Sequence, residues 1–148
     1  MITDKNLRLS EAQAILGVDL AATDVIDLSI ARDIGEGESL YMVVTVITAF
    51  AGGTSIDFIV KGSTDATIVT GDPTLGSTGA IALASLTAGA TFVARINPLI
   101  ASLGYRYLGA FYDVTGTFTA GTVTTDIVNN IQDGKKYHAS GIPTLSNT

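Results

Sequence analysis

Apolar and polar positions alternate most regularly between Gly104 and Ile131, GYRYLGAFYDVTGTFTAGTVTTDIVNNI. In the first arm Arg106, Leu108, Ala110, Tyr112 and Val114 share one face, and Tyr105, Tyr107, Gly109, Phe111 and Asp113 share the other. In the second arm Val123, Thr125 and Ile127 alternate with Thr122, Thr124 and Asp126. β-branched and aromatic residues at period two suit a pleated, half-buried surface, so both arms are predicted as long strands. Gly116 and Gly121 bracket the reversal and can take positive φ, so the pair reads as a hairpin. Both faces of the first arm carry aromatics. Such a strand lies between two layers, or between a layer and a partner molecule.

The rest of the chain continues the theme. VIDLSI, from Val25 to Ile30, is a short alternating strand, followed by a loop, ARDIGEGES, punctuated by Gly35 and Gly37. Leu40 to Phe50 is β-branched and nearly all apolar, as an interior strand should be. A turn at Ala51-Gly52-Gly53-Thr54 leads into a strand from Ser55 to Lys61, predicting a second hairpin. Residues 62–79 are rich in Gly, Ser, Thr and Asp and read as loop, with a brief edge strand at Thr67-Ile68-Val69. Short strands follow at Ala80 to Leu86 and Thr91 to Ile96, and Pro98 stops the second. The total is about eight short strands with turn signals between them, which predicts an all-β sandwich or jelly roll.

The two ends of the chain lack this pattern. Residues 1–22 carry one helical signal, from Ser10 to Leu16, with Ser10 as cap and Gly17 as stop. A helix this short is marginal alone, so the segment is expected to be an extended N-terminal arm that needs a docking surface. The jelly-roll domain is assigned to 23–133 and a polar C-terminal tail to 134–148.

Composition sharpens the functional reading. Of the 148 residues 47% are hydrophobic and only 15% charged, against roughly 25% charged in an ordinary soluble domain. Mean hydropathy is +0.43, yet the longest apolar run is too short to span a bilayer. Some apolar surface is therefore expected outside, as an interface with copies of the chain or with another protein. The net charge of −6 offers no basic patch for nucleic acid. With no Cys, disulfides and thiolate metal sites are excluded. Met1 to Ser10 is polar, without the apolar core of a signal peptide.

Catalytic signals are weak. The lone histidine, His138, sits in the polar tail, where a solvent-exposed bystander is the ordinary reading, and no nucleophile motif surrounds any Ser. Asp33, Glu36 and Glu38 offer the oxygens that Ca²⁺ prefers, but their spacing matches no EF-hand, and a solvated loop is the better reading. A carbohydrate cleft would need aromatic platforms, and the chain has no Trp. Neither Gly35-Glu36-Gly37 nor Gly52-Gly53 opens a helix or precedes Lys, so neither is a phosphate loop. No enzyme activity, cofactor or metal is expected. Arg95 and Arg106 stand in otherwise apolar strands, where each either pairs with a carboxylate across the sheet or faces a partner chain. With Arg8, Ile15 and Leu16 of the arm they form the candidate interface set.

Taken in order, Arg32-Asp33-Ile34-Gly35-Glu36-Gly37-Glu38, then Ala49-Phe50-Ala51-Gly52-Gly53-Thr54-Ser55-Ile56-Asp57-Phe58, then Ser85-Leu86-Thr87-Ala88-Gly89-Ala90, and finally Leu108-Gly109-Ala110-Phe111-Tyr112-Asp113-Val114-Thr115-Gly116-Thr117 with Ala120-Gly121 form a recognisable series. The chain resembles the capsid cement, or decoration, proteins of podovirus-like tailed bacteriophages, from about Val25 to Gly141. The resemblance implies a jelly roll on the outside of an icosahedral head, made in the host cytoplasm. It would bridge neighbouring major capsid protein subunits and hold the head against its DNA pressure. It implies the major capsid protein as a partner; the apolar composition adds further copies of the chain, and the acidic charge and short apolar runs argue against nucleic acid and membrane. The alternative is a jelly-roll receptor- or carbohydrate-binding module of a phage tail, in which the five Tyr would supply the platform.

Overall fold

The computed structural model describes residues 4–29, 39–97 and 103–129. Expectations for the Asp33–Glu38 loop, His138 and the 134–148 tail fall outside these residues. The described strands are β1 (Arg8–Ala14), β2 (Leu20–Asp27), β3 (Leu40–Gly52), β4 (Ser55–Ser63), β5 (Thr74–Ser77), β6 (Ile81–Ala82), β7 (Thr91–Arg95), β8 (Tyr107–Thr115) and β9 (Phe118–Asn129). Among the described residues helix is confined to two 3-10 turns, Lys5–Leu7 and Leu83–Ser85. No described helix is long and apolar enough to cross a membrane.

The strands pair as a nested set. β1 pairs with β9, β2 with β8, β3 with β7, and β4 with β5 and the short β6, all antiparallel. Rolling this nested hairpin sets β3 beside β9 and β4 beside β8. The result is one sheet in the order β1-β9-β3-β7 and a second in the order β2-β8-β4-β5, with β6 on β4. This is the strand order of a jelly roll. The inward faces interdigitate in one core of Met42, Val44, Val46, Val123 and Ile127 against Ile56, Phe58, Val60, Leu108, Ala110 and Tyr112. Phe58 sits at its middle, stacked on Phe92 at 5.9 Å and edge-on to Tyr112 at 5.8 Å.

Both predicted hairpins are corners of the sandwich rather than paired hairpins. β3 and β4 lie in different sheets, as do β8 and β9. A glycine-rich turn between two half-buried strands serves either purpose, and the alternation is the same in both. The two corners interlock: Gly53 N–H donates to Thr117 O at 2.7 Å and Thr54 N–H to Thr115 O at 2.8 Å. Gly116 turns at φ +87, and a Cβ there would lie 3.0 Å from Thr54 N, so the crossing needs glycine.

The N-terminal segment differs most from expectation. The helical turn at Ser10 to Leu16 is instead β1, an edge strand hydrogen-bonded to β9. The second half of the expected arm opens β2 at Leu20, five residues before the strand begins in the sequence pattern. Local helix signals lose because Leu9 and Ile15 are fully buried, and that burial outweighs a short helix's own stability. Gln13 joins the two sheets at this edge. Its side chain donates to Ala21 O and accepts from Thr23 N–H, both at 2.9 Å.

Other differences are small. Thr74–Ser77 is a strand that the pattern did not show, and Thr67 to Val69 is loop. The stretch Ala80 to Leu86 shortens to a two-residue strand and a 3-10 turn.

Candidate functional site

The polar groups inside the sandwich are consumed in holding it together. The Tyr112 hydroxyl lies 2.7 Å from Ser10 Oγ and 2.8 Å from Thr125 Oγ1. Ser10 and Thr125 face each other across β1 and β9, and Tyr112 reaches them from the opposite sheet. Burial pushes the Tyr112 phenol up to about 12, against the pull of its two hydroxyl partners. No buried side-chain nitrogen or oxygen among the described residues lacks a hydrogen-bond partner.

The second apolar face of β8 is covered by the chain itself. Loop 64–73 folds over the outside of the β2-β8-β4-β5 sheet and sets Ile68 onto Gly109. A Cβ at Gly109 would lie 2.5 Å from Ile68 Cγ1, so only glycine leaves room. Lys61, 4% exposed, anchors the loop. Its ammonium donates to Thr70 O at 2.6 Å and Asp72 O at 2.9 Å, and sits 5.0 Å from the Phe111 ring centre. The Asp72 carboxylate accepts from Ser63 Oγ and Val69 N–H. Of the two readings for this strand, packing between layers is the one realised here.

The two ends of the sandwich differ in charge. One end gathers three arginines of the predicted interface set. Arg8 Nε donates to Asp126 Oδ1 at 2.9 Å, and its Nη1 lies 3.2 Å from Glu11 Oε1. Arg106 grips both Asp27 oxygens at 2.9 Å and lies over the Tyr107 ring at 5.1 Å. The Arg106 hydrogen bonds, with the Ser29 N–H behind them, hold the Asp27 carboxyl below its ordinary value. Arg95 donates to Ser39 Oγ at 3.2 Å. Arg8 and Arg106 therefore take the cross-sheet pairing role open to a strand arginine.

At the other end Asp19 is the one charged residue of the connection between β1 and β2. There the 15–19 connection lies against the β8–β9 corner. Ile15 N–H donates to Gly121 O at 3.0 Å and Gly17 N–H to Phe118 O at 3.2 Å, while the Asp19 carboxylate accepts from Val114 N–H at 2.8 Å. None of residues 15–18, 51–54, 83–90 or 115–122 carries a charge. Ile15 is fully buried in the core, so it is an anchor and not the surface contact the sequence assigned. Leu16 is 55% exposed and Val18 78%, the two most exposed large apolar side chains described. The set expected from the sequence contains Leu16 and not Val18. The predicted interface residues are thus split between opposite ends and do not form one site.

No group of three or more His, Cys, Asp or Glu that could hold a metal ion occurs among the described residues. No curated protein matches the chain. The model of the Bbp16 family matches residues 9–127, from the first core residue of β1 to the inward Ile127 of β9. The match takes in both sheets, the two interlocked corners and the loop over Gly109, and on it the chain belongs to the Bbp16 family.

Proposed function

We propose that the protein is a capsid cement, or decoration, subunit. It binds the outer surface of a major capsid protein lattice and stabilises the DNA-filled head of a tailed bacteriophage. The observation that carries this reading is a jelly roll in which, among the described residues, every buried polar side chain has an internal partner and the most exposed large apolar side chains, Leu16 and Val18, stand together at one end. A rigid body with such a surface suits adhesion between protein surfaces. The motif series of the sequence supports the same reading, and the family name suggests a phage-related protein. The subunit also associates with further copies of itself.

The test is sedimentation with DNA-filled heads that lack this protein. Saturable binding at a fixed number of copies per capsid subunit supports the proposal. Absence of binding to heads, with retention on a glycan surface, would replace it with the tail-module reading.

A further inference from the structure

The sheets end in edge strands, β1 and β7 in one and β2 and β5 in the other, with β6 also on β4. A bare strand edge is a template for another strand. On one side of the sandwich the main chain closes the gap. Asn97 N–H donates to Leu75 O at 2.7 Å, and Gly76, where a Cβ would collide with Arg95 O, allows the close approach. On the other side a side chain closes it. Gln13 Nε2 donates to Ala21 O, and Gln13 Oε1 accepts from Thr23 N–H, both at 2.9 Å. One amide thus gives the β2 edge the donor and the acceptor that an added strand would bring. β1 is bent to deliver it. Its register on β9 slips between Ser10 and Gln13, and Ala12 within the slip takes φ +46, a conformation that residues with a Cβ rarely adopt.

We infer that Gln13 guards a strand-acceptor edge: its amide holds the place on β2 that the β2 edge of a second copy of the chain would take. The occupant follows from the two groups that Gln13 serves. In an antiparallel pair of β2 edges about a two-fold axis at Ala22, Thr23 of one copy stands opposite Ala21 of the other. Each Thr23 N–H then donates to the partner's Ala21 O, so the two groups released by Gln13 satisfy each other twice over. The same register sets Asp24 opposite Leu20, so the carboxylates of the edge do not meet head-on. Thr23 and Asp24 are exposed, so the edge is within reach of another chain once the amide is gone. The inference does not depend on the function proposed above.

The experiment compares the full chain with three variants by sedimentation over a range of concentrations, amide exchange and melting temperature. Gln13→Met keeps the side-chain length and removes both bonds. Gln13→Met/Thr23→Pro also removes the N–H that an added strand needs. Gln13→Glu keeps the acceptor for Thr23 and places a charge on the edge. In Gln13→Met the Thr23 amide should exchange on the order of tenfold faster at low concentration. As concentration rises, a species of twice the parent's mass should appear. The Gln13→Met/Thr23→Pro and Gln13→Glu variants should keep the parent's mass throughout. A folded Gln13→Met that keeps the parent's mass overturns the inference, as does unchanged exchange at Thr23. Doubling that persists with Thr23→Pro or appears in Gln13→Glu also overturns it, because the new contact then lies elsewhere. Loss of the fold in Gln13→Met does the same, since the amide would then be a requirement of folding and not a guard.

Discussion

The Tyr112 hydroxyl lies 2.8 Å from Thr125 Oγ1, tying β8 of one sheet to β9 of the other through the middle of the core. Ser10 of β1 completes the contact at 2.7 Å. Three strands from both sheets thus share one hydroxyl cluster, which fixes how the sheets sit on each other. A shift of either sheet would strand buried hydroxyls without partners.

Tyr112→Phe keeps the ring and removes that tie. Ser10 and Thr125 stay fully buried with one fewer partner each. The expected loss is about 1–3 kcal/mol, read from thermal or urea unfolding. The pH dependence gives a second readout. The folded-state value of about 12 lies above the ordinary 10, so the neutral phenol is favoured in the fold. Its contribution is fully present below pH 10 and is lost as pH rises toward 12. The parent should lose stability over that interval, and Tyr112→Phe should lose less of it.

Gly109→Ala tests the seat of Ile68. The new methyl would meet Ile68 Cγ1 at 2.5 Å, and overpacking of this kind costs roughly 1–3 kcal/mol. Ile68→Ala alone should also destabilise. Combined, the two changes should cost less than their sum, because the smaller side chain makes room for the methyl. Simple additivity in a double-mutant cycle would mean that the two residues do not touch.

Lys61→Met keeps most of the side-chain volume and removes the ammonium. The Thr70 and Asp72 carbonyls lose their donor and Phe111 its cation. Amide exchange should accelerate over 64–73 while the strands of the opposite sheet keep their protection. Unchanged exchange in the loop would show that Lys61 does not anchor it.

Phe111→Ala should destabilise by about 3–5 kcal/mol, although Phe111 faces away from the central core. It is 5% exposed, covered by Lys61 and the overlying loop. A melting temperature within a degree or two of the parent would contradict that covering.

How much of this was legible in the sequence depends on the scale of the signal. β3, β4, β8 and β9 are long, and their alternation maps directly onto one face in the core, as Leu108, Ala110 and Tyr112 show. Their pairing was not legible. Gly116-Thr117 and Gly53-Thr54 look like hairpin turns, and only the partners of β8 and β9 reveal corners. β5 is four residues, TLGS, with a single buried apolar side chain, too little for a period. β1 was hidden by local helix signals that a long-range partner overrides: β9 lies more than a hundred residues away in the chain. For the candidate interface, a residue's type did not show its neighbours. Arg106 found Asp27 and Ile15 found the core, while Leu16 stayed outside.

The central claim is that this subunit strengthens a DNA-filled head. The most direct measurement is the temperature at which heads release their DNA, followed by dye fluorescence, with and without saturating protein. The account predicts that heads lacking the protein release DNA at a lower temperature and that adding the full chain raises it, in step with the number of copies bound. Release at the same temperature with the surface fully occupied would contradict it.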